Sequence, residues 1–402
     1  MKRIGGLMPR ILDVENLKLA FWKASRSKRH RADQREYQSN LDDEIALLSQ
    51  GLRSGRYPVG VYRRFTIYEP KERNICAAAF RERVLHHALM NVCGPLFEKW
   101  LVERTYACVK GRGQTAAIEK ACAYAGKYKW FLKCDIRKFF DSIPHDRIRA
   151  KLARKIKDRE VLAWFDRILA TYSTASDRGL PMGNLTSQHL ANLYLDGIDR
   201  LPCLVGLGYV RYMDDFVVWS NDKEQLKTVR ARIRTFVSEG LGLELKDNAY
   251  INASSMGVDF LGRRVFPYGS IPSRRSRTRC RRMVAELERA YDYGEIDESA
   301  LQCRVTSLTS FVRVSGCGAK FRLRACNQGH MACHGFTAAG AGGTPQRIAV
   351  HPGVTGTSLG TAGTTTASAL PARSTAGWTD GPDARPASDK GTNPNQGPVS
   401  VG

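Results

Sequence analysis

The feature that most constrains this chain is a pair of adjacent carboxylates between two short apolar runs. Residues 208–212 and 216–219 are rich in aromatic and β-branched side chains, and Asp214 and Asp215 lie between them. Such runs around a polar break predict a β-hairpin with both carboxylates at its tip. Because neighbouring carboxylates repel each other, ionising both is costly unless a cation binds them. The tip therefore fits a hard divalent ion that takes oxygen ligands, although Asp-Asp pairs also occur in polar turns without chemistry.

A third carboxylate belongs to a second predicted strand, in residues 129–136. Alternation places Lys133 and Asp135 on one face of this strand and apolar residues on the other. The long separation from Asp214 leaves room for helices and crossover loops that return the chain to an adjacent strand. Three carboxylates brought together in this way could hold two Mg²⁺ ions about 4 Å apart.

Two further segments could contact phosphate groups. Residues 62–75 alternate as two strands around a basic turn, where Lys71 offers a point charge and Arg73 a bidentate fork. The loop at residues 181–184 precedes a predicted helix, whose free N–H groups suit phosphate or a nucleobase edge.

Three segments after the Asp pair complete the pattern. Residues 241–246 predict a short strand, and residues 258–265 predict another hairpin. Residues 273–282 are densely arginine-rich and enter a predicted helix. A basic helix at this position suits contact with a nucleic acid duplex.

The charge of the chain agrees with a nucleic acid partner. The 402 residues carry a formal net charge of +24, which favours a polyanion, although a basic protein that is merely soluble can have the same charge. The N-terminus has no apolar run long enough for a signal peptide or a membrane span. We therefore expect the eleven scattered cysteines to be reduced thiols in a cytoplasmic protein without a membrane partner.

Taken in order, these segments resemble the reverse transcriptases, from about residue 15 to residue 325. Tyr212-Met213-Asp214-Asp215 is similar to their catalytic box, residues 62–75 to their fingers hairpin, and residues 258–265 to the hairpin that grips the primer. The resemblance implies an α+β right-hand polymerase fold with fingers, a palm whose antiparallel sheet carries the Asp residues, and a helical thumb. It also implies RNA-directed DNA synthesis from dNTPs on an RNA template and a DNA or RNA primer, with two Mg²⁺ ions, or Mn²⁺, as cofactors.

The same resemblance assigns individual residues. The implied catalytic groups are Asp135, Asp214 and Asp215, and Ile136 joins these three at the implied metal site. Phe140 would exclude a ribonucleotide 2′-hydroxyl, and the other implied nucleotide-binding positions are Lys71, Arg73, Met182, Gly183 and Lys246. The implied primer and template contacts are Ser187, Gln188, Phe260, Leu261 and Gly262.

Within the family, the loop Met182-Gly183-Asn184-Leu185-Thr186-Ser187-Gln188 looks most like that of diversity-generating retroelements. Those enzymes copy a template RNA with errors at adenines and work with a small basic helical accessory protein. Met182 stands where reverse transcriptases generally have Gln and where this group has Ile, Val or Leu. Two alternatives stay open: a group II intron or antiphage reverse transcriptase, and a non-catalytic nucleic-acid-binding relative. The intact carboxylates argue against the last, because binding alone does not need them.

The predicted domain organisation has four parts. Residues 1–55 form a basic helical extension, residues 56–270 the fingers and palm, and residues 271–327 the thumb. Residues 328–402 are rich in small and polar residues and predict a disordered tail that is dispensable for polymerisation. The tail is either a linker-like segment or an out-of-frame translation, because no acidic residue occurs between Glu298 and Asp380.

Overall fold

The computed structural model describes residues 3–68, 72–175 and 177–310. Lys71, the last part of the predicted thumb and the whole predicted tail lie outside these ranges. Within them, no helix combines the length and the apolar character that a membrane span would need. The helices of the described ranges are α1 (Leu7–Ile11), α2 (Val14–Ala24), α3 (Ala32–Ser39), α4 (Leu41–Ser54), α5 (Phe80–Trp100), α6 (Gln114–Lys127), α7 (Phe139–Ser142), α8 (His145–Ala153), α9 (Arg159–Ala170), α10 (Leu185–Tyr194), α11 (Asp196–Asp199), α12 (Lys223–Thr235), α13 (Arg274–Asp292) and α14 (Glu298–Ser310). The strands are β1 (Tyr62–Ile67), β2 (Arg73–Ala78), β3 (Trp130–Cys134), β4 (Gly208–Tyr212), β5 (Asp215–Ser220), β6 (Tyr250–Ala253), β7 (Val258–Phe260), β8 (Arg263–Phe266) and β9 (Gly269–Pro272).

The palm is a four-stranded antiparallel sheet, in the order β4-β5-β3-β6. Helices α7 to α11 connect β3 to β4, and α12 connects β5 to β6. This is the split β-α-β-β-α-β arrangement, in which the two halves interleave their strands. The predicted α+β class with an antiparallel palm sheet is confirmed.

Both faces of this sheet are buried, which explains why its strands are apolar on both sides. Leu132 and Phe216 contribute to the larger core, which includes most of the helices. Phe131 and Trp219 contribute to a second core, with α6 and the β7–β8 hairpin. Each of these side chains is fully buried, and burial of one such group is worth roughly 1.5–3 kcal/mol relative to exposure. The two cores therefore hold the sheet rigidly between its covering layers.

Two smaller sheets flank the palm. Strands β1 and β2 pair in register from Tyr62↔Ala78 to Ile67↔Arg73, so the predicted fingers hairpin is present up to its tip. Strands β7, β8 and β9 form a three-stranded antiparallel sheet. Its first turn, Leu261-Gly262, has positive φ at both residues (50° and 76°), as the tightest hairpin turns require.

The N-terminal helices pack on the long helix α5. The rings of Phe21, Tyr37 and Phe80 contact one another with centroids 5.4–6.1 Å apart, joining α2, α3 and α5. The Asp158 carboxylate accepts hydrogen bonds from the Gly6 and Met8 amides, which fixes the start of α1. Residues 7–54 are thus largely helical, whereas the division into an extension, fingers, palm and thumb stays a prediction.

The prediction of a strand at residues 241–246 was wrong. This segment makes one isolated bridge within the described residues, between Leu245 and Ile136, and the edge strand of the palm is instead β6. Gly242 has a φ of +61°, which is incompatible with a continuous strand.

Candidate active site

Asp214 lies in a two-residue turn at the end of the palm sheet. Tyr212 and Asp215 are the last pair between β4 and β5, so Met213 and Asp214 form the turn. Met213 has a φ of 55°, an unfavourable value for a residue with a side chain that costs on the order of 1–3 kcal/mol. The predicted hairpin with both carboxylates at its tip is therefore present, with a strained turn.

Asp135 lies beside this turn because β3 is the neighbour of β5. The register pairs Cys134 with Phe216, so the chain leaves β3 next to the start of β5. Burial and then the negative charge of Asp135 raise the pKa of the Asp214 carboxyl above its usual range. The structure thus brings Asp135, Asp214 and Asp215 to one end of the sheet, as the sequence predicted.

Two lysines form ion pairs with two of these carboxylates, Asp135 and Asp215. The Lys246 ammonium donates to Asp135 Oδ2 at 2.5 Å, and the Lys246 amide donates to the Asp135 carbonyl at 2.9 Å. Lys133 forms an ion pair with Asp215, and burial lowers the pKa of the Lys133 ammonium to about 8. The ammonium of Lys133 also lies 5.2 Å from the ring centre of Phe260. Sequence reasoning missed the role of Lys133, although its place on the same strand face as Asp135 was the available signal.

The donor atoms of this site fit a hard cation. Asp135 Oδ1 is buried and accepts no hydrogen bond from the described residues, and such an oxygen is a ligand that Mg²⁺ and Mn²⁺ prefer. Ile136 packs its side chain into the core, so its main-chain carbonyl is the atom that could reach a metal. Across the described part of the chain, no three His, Cys, Asp or Glu side chains form a group that could hold a metal ion as they stand. A cation at this site would compete with Lys133 and Lys246 for the oxygens of Asp215 and Asp135.

The predicted nucleotide contacts lie on several elements. Arg73 is exposed at the start of β2 next to the hairpin tip, whereas Lys71 lies outside the described residues. Phe140 is only partly buried, and its ring contacts that of the buried Phe139 with centroids 5.5 Å apart. A partly exposed ring five residues after Asp135 suits a position next to the sugar of a nucleotide.

The loop before α10 is attached to the fingers hairpin. The Cys76 amide of β2 donates to the Met182 carbonyl at 2.8 Å. Gly183 has a φ of +110°, and a Cβ atom there would lie 3.0 Å from Ile75 Cγ2 and 3.3 Å from the Cys76 carbonyl oxygen. The Met182 side chain is partly exposed. The structure therefore places Met182 and Gly183 against the strand that begins with Arg73.

Not all predicted template contacts reach the surface. Ser187 is buried within α10, so its hydroxyl is not presented to a bound strand in this arrangement. Gln188 is partly exposed, and its Oε1 lies 3.9 Å from the Cys108 thiol, which donates to it.

The predicted primer hairpin is fixed from two sides. Phe260 is buried in the second core, whereas Leu261 and Gly262 form the accessible turn. The Gln114 side-chain Nε2 donates to the Leu261 carbonyl at 2.7 Å, and the Ser276 hydroxyl donates to the Gly262 carbonyl at 2.8 Å. The turn, and not Phe260 itself, is therefore available to a nucleic acid.

An antiparallel palm sheet with clustered aspartates, a basic fingers hairpin and a glycine loop between them are the features of the right-hand polymerase fold. Residues 69–265 match the family model described as "Reverse transcriptase (RNA-dependent DNA polymerase)". The reverse transcriptase family, predicted from the motifs, is confirmed over these residues.

Curated relatives include intron-encoded proteins. The chain is 27% identical over 166 residues to the "Uncharacterized 91 kDa protein in cob intron" of Schizosaccharomyces pombe, which is 39% of this chain and 21% of that protein. It is 24% identical over 319 residues to "Protein YkfC" of Escherichia coli, covering 64% of this chain and 83% of that protein. It is 22% identical over 300 residues to "Group II intron-encoded protein LtrA" of Lactococcus lactis, covering 55% of this chain and 49% of that protein. The chain thus spans half or less of two of these three relatives.

Proposed function

We propose that this protein synthesises DNA on an RNA template by two-metal nucleotidyl transfer. The observation that carries the proposal is the convergence of Asp135, Asp214 and Asp215 at one end of the palm sheet, where the buried Asp135 Oδ1 has no hydrogen-bond partner among the described residues. A protein that only bound nucleic acid would gain nothing from this arrangement, because clustered carboxylates repel phosphates. Burying carboxylates that repel one another is costly unless a cation or a reaction requires them.

Different residues of the chain would have different roles in the reaction. Asp135, Asp214 and Asp215, with the Ile136 carbonyl, would hold two Mg²⁺ or Mn²⁺ ions. When bound, such ions lower the pKa of a hydroxyl nucleophile and stabilise charge that develops on the transferred phosphate. Phosphoryl transfer otherwise depends on positioning and on electrostatic stabilisation, which protein side chains supply.

Side chains around the aspartates would provide this positioning. Arg73 would bind the triphosphate through its guanidinium fork, assisted by Lys71. Lys246, whose ammonium contacts Asp135, would bind a phosphate oxygen of the nucleotide. Phe140 would lie against the sugar and exclude a 2′-hydroxyl. The Leu261-Gly262 turn would contact the primer, and Gln188 the template.

Two subtypes have separate support. The loop from Met182 to Gln188 favours a diversity-generating retroelement, in which adenines are copied with errors and a small basic accessory protein assists. The likeness to intron-encoded relatives, including a group II intron-encoded protein, favours a group II intron-like enzyme. The error spectrum separates them, because only the first predicts errors concentrated at template adenines.

Primer extension on a defined RNA template tests the proposal. The wild-type chain should extend a DNA primer with dNTPs only when Mg²⁺ or Mn²⁺ is present. Asp214→Asn keeps the shape of the side chain but removes a ligand charge, so extension should fall to below about 1% of wild type while RNA binding persists. Asp42→Asn is the matched control, since Asp42 is exposed and pairs with Lys18 on the surface. Near-normal extension by Asp214→Asn, or a wild type that extends without divalent ions, would reject the two-metal assignment.

A further inference from the structure

A buried ion pair lies directly behind the catalytic turn. The side chains of Arg211, on β4, and Asp199, at the end of α11, are both fully buried. The Arg211 Nε donates to Asp199 Oδ1 at 2.7 Å, and Nη2 donates to Oδ2 at 2.6 Å. This bidentate geometry fixes the plane of the guanidinium as well as its position.

The other donors of Arg211 reach three different elements. Nη1 donates to Asn192 Oδ1 on α10 at 2.7 Å and to the Met213 carbonyl in the catalytic turn at 3.3 Å. Nη2 also donates to the Thr105 hydroxyl at 3.2 Å. Every N–H of the guanidinium therefore has an acceptor. Among these acceptors, the Met213 carbonyl belongs to the turn that carries Asp214.

Both carboxylate oxygens of Asp199 also accept hydrogen bonds from residues other than Arg211. Asp199 Oδ1 also accepts from the Tyr209 hydroxyl at 2.7 Å, and Oδ2 from the Thr105 hydroxyl at 2.9 Å. The main chain of Arg211 pairs with the neighbouring segment, because its amide donates to the Arg104 carbonyl and its carbonyl accepts from the Tyr106 amide. The network is thus anchored independently of the turn that it contacts.

The contact with Met213 restrains the peptide group that joins Met213 to Asp214. The Met213 carbonyl and the Asp214 amide belong to one planar peptide group, so a hydrogen bond to that carbonyl restrains the rotation of the whole group. The restraint acts where φ of Met213 is strained at 55°. Stability alone does not explain the ion pair, because well-packed apolar residues are often as stable as a buried ion pair.

We propose that Arg211 is a positioning residue for polymerisation: held by Asp199, it orients the Met213–Asp214 peptide so that the Asp214 carboxylate is directed towards Asp135. The inference rests on the proposed function, since the turn needs a fixed orientation only if Asp214 takes part in the reaction. Arg211 acts through Asp214 and contacts neither the nucleotide nor a metal.

The main test is a double variant in which both members of the ion pair are replaced by uncharged residues. Arg211→Met combined with Asp199→Asn removes both charges together, and Asn can still accept from the Tyr209 hydroxyl while its NH2 group donates to the Thr105 hydroxyl. We expect the variant to fold, with kcat for primer extension lowered by about tenfold or more, since small misplacements of a reacting group are costly. KM for dNTP should stay within about threefold of wild type, because the loss is confined to the reaction step. Hydrogen exchange in a peptide spanning residues 209–216 should become faster.

The matched control is a second ion pair that includes the same helix, in which Asp196 is buried and Lys151 is partly exposed. Lys151→Met combined with Asp196→Asn removes the pair that joins α8 to α11, and among the described residues neither side chain hydrogen-bonds to the Met213-Asp214 turn. This control should keep wild-type kcat and wild-type exchange at residues 209–216. If the control loses as much kcat as the Arg211 variant, or if the folded Arg211 variant keeps wild-type kcat, the positioning role is overturned.

Two further outcomes need a different measurement: a double variant that does not fold, and a wild type that makes no DNA. If the double variant does not fold, Arg211→Lys replaces it: Lys keeps the buried charge but cannot span both Asp199 and Met213, so kcat should fall in a folded protein, and an unchanged kcat overturns the proposal. If the wild type itself makes no DNA, the proposed function fails and hydrogen exchange alone decides. Faster exchange of the turn in the variant then shows that Arg211 restrains the Met213–Asp214 peptide but overturns its role in polymerisation, and equal exchange rejects the restraint as well.

Discussion

The Cys76 amide donates a hydrogen bond to the Met182 carbonyl at 2.8 Å. This bond joins β2 of the fingers hairpin to the loop that precedes α10. Because β2 begins with Arg73, the proposed triphosphate contact and the proposed nucleotide contact at Met182 belong to one connected unit. A change in the loop should therefore alter the position of the fingers hairpin.

Gly183→Ala tests this connection. The methyl group would lie 3.0 Å from Ile75 Cγ2, and the φ of +110° would be strained for any residue with a side chain. We expect a destabilisation of about 1–3 kcal/mol together with a several-fold rise in KM for dNTP. Thermal unfolding and steady-state kinetics provide the two measurements.

Gly206→Ala is the control for Gly183→Ala. Gly206 has a φ of +77°, and a Cβ atom added there would meet no described atom within 4 Å. The control therefore carries the backbone strain without the contact with β2, and its KM for dNTP should equal that of wild type. A Gly183→Ala protein with wild-type KM would show that the loop and the hairpin act independently.

Phe140→Ala should raise the use of ribonucleotides relative to deoxyribonucleotides. Because the ring is only partly buried, the loss of stability should lie below the roughly 3–5 kcal/mol of a core phenylalanine. The measurement is incorporation of dNTP and rNTP in parallel, beside the melting temperature. Phe139→Leu is the control: Phe139 is buried, so this variant should lose stability and keep its sugar selectivity. Unchanged selectivity in folded Phe140→Ala would exclude a role for the ring against the 2′-hydroxyl.

The stability of the protein should fall as the pH is lowered from about 6.5 to about 4. Burial lowers the pKa of both His87 and His189 from 6.5 to about 4, with the charge of Lys23 adding to the effect at His87. The native state therefore holds both rings neutral in this range while the unfolded state binds protons, so acid favours unfolding. Protonation of each histidine in the unfolded state lowers the free energy of unfolding by at most about 3 kcal/mol.

Urea unfolding at a series of pH values measures this effect. The double variant His87→Gln and His189→Gln should show a shallower dependence on pH between 4 and 6.5 than wild type. Above about pH 7 both proteins should give parallel curves, because neither histidine changes its charge there. Equal slopes for variant and wild type over the acid range would mean that these rings are not held neutral by the fold.

The sequence predicted the parts of the site that are encoded locally. Alternation and apolar runs identified the strands that carry Asp135 and Asp214, because a sheet buried on both faces selects such residues at every position. Helical periodicity identified α10 but not what covers it, so the burial of Ser187 was missed. The pairing of Arg211 with Asp199 could not be predicted either. An arginine in an apolar strand predicts an acidic partner. Which acidic residue that is depends on the packing of α11 against β4.

The last prediction concerns copying accuracy. A Gln at position 182 can hydrogen-bond near the nucleotide and the template, whereas Met182 offers a soft apolar contact. Correct and incorrect pairs already differ in binding by only a few kcal/mol, roughly 1–3 for contacts of this size, so loss of a polar restraint should weaken discrimination. Met182→Gln should therefore lower the error frequency, and under the retroelement proposal it should do so more at template adenine than at the other bases. Met182→Leu, which has similar size and no amide, should leave the error spectrum unchanged. Deep sequencing of cDNA from one RNA template gives the error spectra of wild type, Met182→Gln and Met182→Leu. A wild-type error frequency that is low and equal at the four template bases would exclude the adenine-directed subtype. The reverse transcriptase assignment would stay in place.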